Sequence, residues 1–179
     1  GTALAFEASS RGLEVSRFSR SSNGPASIAA GGMLTPAMEA DLTSPALFEL
    51  ARLSRELYPT WIDKLEKVSG LKTGYRQSGT LEVALHRDHL SELEQLESHQ
   101  ARLGFSTKRL SASEVLEREP QLTHRVQGAL LAENDHCVEP RRLLHALESA
   151  LQNDGVEKFH VDSLDLQAQE AKLRFTMDG

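Results

Sequence analysis

The sequence has 179 residues, of which 39% are hydrophobic and 26% are charged, and its net charge at pH 7 is -6. This balance is that of an ordinary globular chain, and it argues against a nucleic-acid partner because phosphate binding needs clustered Lys and Arg. No run of about 18 apolar residues is present, which argues against a membrane span. The single cysteine, Cys137, excludes an internal disulfide and fits a reducing, cytoplasmic compartment.

The N-terminal region predicts a helix followed by a short strand. Small and apolar residues favour a helix over residues 2–10, and Gly12 is expected to end it. Residues 13–18 then predict a strand, and residues 19–25 a polar loop. Because the helix begins directly after Gly1, with no room for a capping turn, we interpret the sequence as an internal segment of a longer protein.

A long amphipathic helix is predicted after the small-residue stretch of residues 26–33. Ser44 is suited to cap this helix, Pro45 to occupy its first position and Gly70 to end it. Apolar residues recur there at three- and four-residue steps and predict one buried face, made of Leu47, Leu50, Ser54, Leu57, Trp61, Leu65 and Val68. Pro59 lies inside this run and is expected to kink or split the helix.

The rest of the chain alternates strand and helix patterns, which favours an α/β or α+β class with a mixed sheet. Three strands and three helices are predicted, at residues 80–85, 90–103, 111–119, 126–132, 140–155 and 156–161. Ser111 and Glu114 form a capping box at the start of the short second helix. Residues 163–168 and 171–177 predict an antiparallel ribbon, and the terminal Asp178-Gly179 is a hairpin-turn signal whose return strand does not follow.

Two features near the N-terminus indicate a nucleotide site. Ala and Gly in residues 26–33 would let the backbone approach a ligand closely, although tight helix packing explains the same composition equally well. Gly1, a helix, Gly12 and a strand are what remains of a dinucleotide-binding βαβ unit cut inside its glycine-rich turn. In such a unit an acidic residue ends the second strand and holds a ribose hydroxyl, whereas this sequence places Ser19 there.

Other polar residues give weaker indications. His86 and His89 are three residues apart but have no third ligand in register, so we predict a solvated loop and no metal site. Asp135, His136 and Cys137 are adjacent. Because neighbouring residues of a strand-like segment face opposite ways, this triplet is not expected to act as one nucleophilic site.

A family resemblance adds to these patterns. The sequence ASIAAGGMLTP of residues 26–36, followed by Glu39, resembles the flavin-contacting segment of the glycine oxidases of thiamine biosynthesis. These enzymes belong to the FAD-dependent D-amino-acid oxidase superfamily. Four further pieces match in the family's order and spacing, namely Leu57-Tyr58-Pro59, YRQSGTL at residues 75–81, Glu119-Pro120 and VEPRRLL at residues 138–144.

The resemblance implies an α/β fold with two domains. The first is an FAD-binding Rossmann-like domain, here incomplete because its first strand would precede residue 1. It would be built from residues 1–70 and 138–179, with an inserted α+β substrate domain at residues 71–137. By matching positions, the flavin nucleotide would be contacted by Gly1, Ser27, Ala30, Gly31, Gly32, Met33 and Leu164. Met33 and Glu39 would lie on the substrate side, and Ser19 departs from the family's ribose-binding acid.

The implied reaction is the oxidative deamination of glycine, or of small D- or N-methyl amino acids, to a 2-oxo acid, ammonia and hydrogen peroxide, linked to thiamine biosynthesis. The partners would be a small amino-acid substrate and oxygen, and a homo-oligomer is left open. In the family, the arginine and tyrosine that hold the substrate come from later segments, so we name no catalytic residue here and expect this fragment alone to be inactive. The alternatives are a flavin-dependent D-amino-acid dehydrogenase, a sarcosine-type oxidase, or a cofactor-free interaction module.

Overall fold

The structure is a computed structural model that describes residues 1–19, 26–39, 45–161, 163–169 and 172–178. Its elements in chain order are α1 Thr2–Ser10, β1 Ser16–Ser19, α2 Ala26–Ala29, β2 Met33–Leu34, α3 Pro45–Ser69, β3 Thr80–Ala84, α4 Arg87–Arg102, β4 Lys108–Ser111, α5 Ala112–Arg118, β5 Gly128–Ala132, β6 His136–Cys137, α6 Pro140–Asn153, β7 Glu157–His160, β8 Ser163–Gln169 and β9 Lys172–Asp178. Helices and strands alternate as predicted, so the mixed α/β class is confirmed. None of the helices in the described ranges is long and apolar enough to cross a bilayer.

The chain forms two compact units. The first unit contains residues 1–31, 62–74 and 139–179, and the second contains residues 32–61 and 75–138. The predicted assignment of segments to FAD and substrate domains uses different boundaries and stays a prediction.

The first unit is organised around the parallel pair β1 and β7. Their register places Phe18 opposite Phe159, and these two rings stack with centroids 5.2 Å apart. Helix α6 begins at Pro140, and the Glu139 carboxylate caps it by accepting the backbone N–H groups of Arg141 and Arg142. Its buried side consists of Ala146, Leu147, Ala150 and Leu151, and the fully buried Phe6 of α1 belongs to the same unit. The strands β8 and β9 form the antiparallel ribbon that the sequence predicts.

The second unit contains a three-stranded antiparallel sheet in the order β3-β5-β4. Every residue of the central strand β5 is buried, which explains its short apolar sequence GALLA. Leu131 belongs to a core cluster with Val115 of α5, and Leu130 to a second cluster with Leu93 of α4. The predicted capping box of α5 is present, with Ser111 and Glu114 capping each other's backbone N–H groups. A separate antiparallel pair joins β2 to β6.

Helix α3 differs from its prediction in two respects. It runs unbroken from Pro45 to Ser69 with Pro59 inside, so the expected split is wrong. A proline removes one backbone hydrogen bond, and the turns on either side preserve the helix. The predicted buried face is also wrong in its first half, because Leu47, Leu50 and Leu57 are 64%, 63% and 66% exposed. Only the last turns are well buried, through Ile62 and Leu65.

Three smaller predictions differ at their edges or fall outside the description. The first strand covers residues 16–19 rather than 13–18, so Ser19 belongs to the strand and not to the polar loop. The remainder of that loop, residues 20–25, lies outside the described residues, as does the predicted cap Ser44. Gly12 and Gly70 follow the helix ends where the sequence predicts them, and Gly104 and Gly155 follow the ends of α4 and α6, all with positive φ.

Candidate functional site

A cavity of about 330 Å³ opens in the second unit between the segment that follows β2 and one side of α3. Apolar walls and a few polar groups meet there, which is typical of a site for a small molecule. The lining residues that carry the chemistry are Met33, Thr35, Glu39, Phe48, Arg55 and Tyr58. The structure thus brings Met33 and Glu39, the two residues predicted on the substrate side, to one cavity. Their role toward a substrate stays a prediction.

The Glu39 carboxylate is held by its own turn. The Glu39 N–H donates to the Thr35 carbonyl at 3.0 Å, and the Thr35 hydroxyl donates to Glu39 Oε1 at 3.2 Å. Thr35 is only 5% exposed, so few other groups can form a hydrogen bond with its hydroxyl. The turn therefore presents a negatively charged oxygen at a defined place in the cavity.

On the α3 side of the cavity, Tyr58 begins a row of aromatic rings. Its ring centroid lies 5.8 Å from that of Trp61 and 6.2 Å from that of Tyr75. The Tyr75 hydroxyl is 2.8 Å from His136 Nδ1. Burial raises the pKa of Tyr58, helped by the neighbouring Tyr75. Burial and the Arg55 cation lower the pKa of His136, so its ring favours the neutral form.

The Asp135-His136-Cys137 triplet has three separate environments, as predicted from its strand-like sequence. Asp135 is fully buried and accepts the Ala37 N–H, whereas His136 contacts Tyr75. Cys137 Sγ lies 3.6 Å from the Ser78 hydroxyl. Burial raises the pKa of the Asp135 carboxyl, while the amides of Ala37 and Met38 and the charge of Arg55 act in the opposite direction. The three residues thus have different partners, and Asp135 has a buried role that sequence reasoning missed.

The residues predicted to contact the flavin nucleotide fall in both units. Gly1, Ser27, Ala30, Gly31 and Leu164 belong to the first unit, and Gly32 and Met33 to the second. Ser27 lies in α2, and Ala30 and Gly31 follow this helix as exposed residues. Gly32 has a φ of 74° and accepts the Val138 N–H through its carbonyl at 2.9 Å. Leu164 lies on β8 opposite Met177.

The first unit also contains features that suit a dinucleotide. Gly1 is the N-cap of α1, where no side chain caps the helix and no acidic residue occupies the first turn. At the end of β1, the Ser19 hydroxyl oxygen is buried and has no hydrogen-bond partner among the described residues. Such an orphaned group fits a position that a ribose hydroxyl would fill.

Metal chemistry has no support in the described part of the chain. The expected loop is wrong for His89, because α4 begins at Arg87 and includes it, with His86 as the N-cap. The two rings are in contact, with centroids 5.4 Å apart, and both residues are exposed. Within the described ranges, no group of three or more His, Cys, Asp or Glu residues could hold a metal ion.

Comparison with known proteins decides the family. The sequence profile of the family DAO, FAD dependent oxidoreductase, matches residues 1–174. The chain belongs to this family. The predicted cofactor, FAD, and the classification as an FAD-dependent oxidoreductase are therefore confirmed.

Individual relatives agree with the predicted resemblance to glycine oxidases. The bifunctional protein ThiO/ThiG of Synechocystis sp. is 33% identical over 159 residues, which cover 88% of this chain and 22% of that protein. The glycine oxidase of Geobacillus kaustophilus is 31% identical over 157 residues, which cover 87% of this chain and 41% of that protein. The crystal structure of glycine oxidase from that organism matches with a TM-score of 0.84 and 28% identity, covering 98% of this chain and 48% of that chain. The chain thus spans less than half the length of these relatives.

Proposed function

We propose that the full protein containing this chain is an FAD-dependent amine oxidase that acts on glycine or on small D- or N-methyl amino acids. With glycine, the substrate, water and oxygen would give glyoxylate, ammonia and hydrogen peroxide. The observation that carries the proposal is the cavity in which Met33 and Glu39 meet, in a chain of this family. Relatives named glycine oxidase and ThiO/ThiG support both the substrate class and a link to thiamine biosynthesis.

The residues of the first unit would hold the nucleotide part of FAD. The α1 amides at Gly1 suit the pyrophosphate, because a helix N-terminus carries a partial positive charge. The buried Ser19 hydroxyl would bind a ribose hydroxyl, and the neutral serine would leave that interaction weaker than a carboxylate would. Ser27, Ala30 and Gly31 would let the backbone approach the cofactor closely, with Leu164 near the adenine.

The second unit would supply the substrate side. When bound, FAD provides a two-electron acceptor that oxygen can reoxidise. Met33 would lie against the flavin ring, next to the small Gly32. The Glu39 carboxylate would attract the substrate amine and orient it, since it is the acidic group among the lining residues of the cavity. Tyr58 and Phe48 would exclude water from this region. No side chain of this chain is proposed as an acid–base catalyst.

Other parts of the proposal rest on the sequence. The division into an FAD domain at residues 1–70 and 138–179 and a substrate domain at residues 71–137 remains our prediction, as do the inserted arrangement and a first strand before residue 1. A reducing, cytoplasmic compartment is proposed from the single cysteine, Cys137. A homo-oligomer is an alternative to the monomer.

The decisive experiment is an absorption scan of the purified full-length protein from about 350 to 500 nm, before and after anaerobic addition of glycine. We expect a flavin band that glycine bleaches, and its recovery on admission of air together with peroxide formation. Bleaching without peroxide would replace the oxidase by a dehydrogenase. A band that responds to sarcosine or D-alanine but not to glycine would change the substrate. A protein that shows no band after incubation with FAD would refute the proposal in favour of the interaction module.

A further inference from the structure

Two buried polar side chains form hydrogen bonds with one residue, Ala37, of the turn that carries Glu39. Gln100 Nε2 donates to the Ala37 carbonyl at 2.9 Å, and Asp135 Oδ1 accepts the Ala37 N–H at 3.3 Å. Gln100 and Asp135 are both 0% exposed, and Ala37 is 2% exposed. Because one partner holds the N–H and the other the carbonyl, the peptide planes on both sides of Ala37 are fixed.

The two side chains come from different elements of the second unit. Gln100 lies in the last turn of α4, and Asp135 follows β5. The Asp135 carbonyl accepts the Gly79 N–H at 2.9 Å, which ties this residue to the start of β3. The turn is therefore attached both to a helix and to the sheet of the unit, and it cannot shift without disturbing one of them.

Stability alone does not account for these two residues. In each side chain the other polar atom, Gln100 Oε1 or Asp135 Oδ2, is buried and lacks a hydrogen-bond partner in the described part of the chain. A buried polar atom left without a partner destabilises the folded state, and apolar residues of similar shape would avoid this penalty. Positions at which a fold retains such costly groups are typically functional.

The residue held by these two hydrogen bonds lies next to the cavity. Ala37 lies between Thr35 and Glu39, which are hydrogen-bonded to each other and line the cavity. A rotation at Ala37 would move the Glu39 carboxylate and break its bond with the Thr35 hydroxyl. Small displacements of a positioning group lower the rate of an enzyme strongly, by about 100-fold for 1 Å.

We propose that Gln100 and Asp135 are positioning residues that clamp Ala37 and thereby hold the Glu39 carboxylate in place for the substrate. The catalytic consequence rests on the proposed function, whereas the clamp itself does not. Neither residue is expected to touch substrate or FAD, so both act through the turn of residues 35–39.

The first test compares Gln100→Met with Gln127→Met in the full-length holoenzyme. Methionine preserves the unbranched length of Gln100 and removes the donor to Ala37. Gln127 is exposed and also donates to a backbone carbonyl, that of Arg125 at 3.1 Å, so its replacement is a matched control. We expect Gln100→Met to raise the glycine concentration for half-maximal flavin reduction by about tenfold at unchanged FAD content. Gln127→Met should leave both values unchanged.

Amide hydrogen exchange of the peptide containing residues 34–39 provides a readout that is independent of activity. Gln100→Met should accelerate exchange of the Ala37 amide, because the turn loses one of its two anchors. If glycine does not reduce the wild-type flavin, the proposed function fails, and this exchange comparison still tests the clamp.

A second pair of variants examines Asp135. Asp135→Asn retains an acceptor for the Ala37 N–H and should behave like wild type, whereas Asp135→Leu should behave like Gln100→Met. If Asp135→Leu does not accumulate as holoenzyme, Gln100→Met and Asp135→Asn decide the question. Wild-type substrate dependence and wild-type exchange in Gln100→Met would overturn the proposal.

Discussion

Replacing Gly79 by alanine should destabilise the second unit far more than the same change at Gly104. Both glycines have left-handed backbone, with φ of 74° and 83°. Their surroundings differ. A Cβ at Gly79 would lie 3.0 Å from the Ala132 carbonyl oxygen and 3.3 Å from Glu133 Cα, whereas a Cβ at Gly104 would meet no atom within 4 Å.

The magnitude follows from two contributions. Left-handed backbone costs a non-glycine residue about 1–2 kcal/mol, and the lower entropy of the unfolded alanine chain returns about 0.4–1 kcal/mol. Gly104→Ala should therefore lower the free energy of unfolding by about 0.5–1 kcal/mol. At Gly79 the atoms in the way belong to the backbone of β5 and the following turn, so relief requires a backbone shift that adds about 1–3 kcal/mol. The expected loss for Gly79→Ala is about 1.5–4 kcal/mol.

Urea unfolding of the full-length holoenzyme, followed by far-UV circular dichroism, would measure the two losses side by side. The reasoning predicts a clearly lower urea midpoint for Gly79→Ala than for Gly104→Ala. Equal midpoints for the two variants would refute the crowding argument, because only the backbone term would then remain. Since the Gly79 N–H donates to the Asp135 carbonyl, Gly79→Ala should also accelerate hydrogen exchange at Ala37.

Three further predictions concern the cofactor, the substrate and pH. Ser19→Ala should raise the FAD dissociation constant, measured by fluorescence titration, by about fivefold, as expected for one lost hydrogen bond. The control is Ser16→Ala at the exposed start of the same strand, which should leave this constant unchanged. Glu39→Gln should raise the glycine concentration for half-maximal flavin reduction about tenfold. Glu92→Gln, on the exposed side of α4, should leave it unchanged. Equal effects of the two variants would show that Glu39 does not contact the substrate. Burial raises the folded-state pKa of Asp135 above its ordinary 3.8. The folded state therefore binds this proton more tightly than the unfolded state does, and the protein loses stability as the pH rises above 3.8. Asp135→Asn should therefore gain stability relative to wild type as the pH rises above about 4, and a difference in urea midpoint that stays constant during this rise would contradict the shift.

Local sequence signals predicted the elements whose ends are set by their own residues. The capping box at Ser111 and the start of α6 at Pro140 are examples, because their hydrogen-bond partners lie within three residues. Helix α3 shows where such reasoning fails. Its apolar repeat predicted a buried face through Leu47 and Leu57, yet periodicity describes the helix alone and not what covers it.

The candidate site likewise contains residues that the sequence predicts and residues that only the fold brings together. Met33 and Glu39 were found through a family resemblance in a contiguous segment, and the structure brings them to one cavity with Arg55 and Tyr58. Gln100 could not be predicted, because it lies 63 positions from Ala37 and sits in an ordinary amphipathic helix. Only the tertiary fold joins the two, and a buried glutamine has no local signature.

Two neighbouring aromatic residues of α3, Tyr58 and Trp61, give the chain an intrinsic fluorescence signal. Trp61 is the single tryptophan of the sequence, and Tyr58 lies beside it with ring centroids 5.8 Å apart. Tyrosine excitation would be transferred to the indole over this distance, so emission from this chain reports chiefly on one stretch of one helix. Tyr58 also lines the cavity, so a ligand that enters there would disturb the donor of this pair. A change in the emission of Tyr58 and Trp61 would thus report on a ligand at this cavity without any added label.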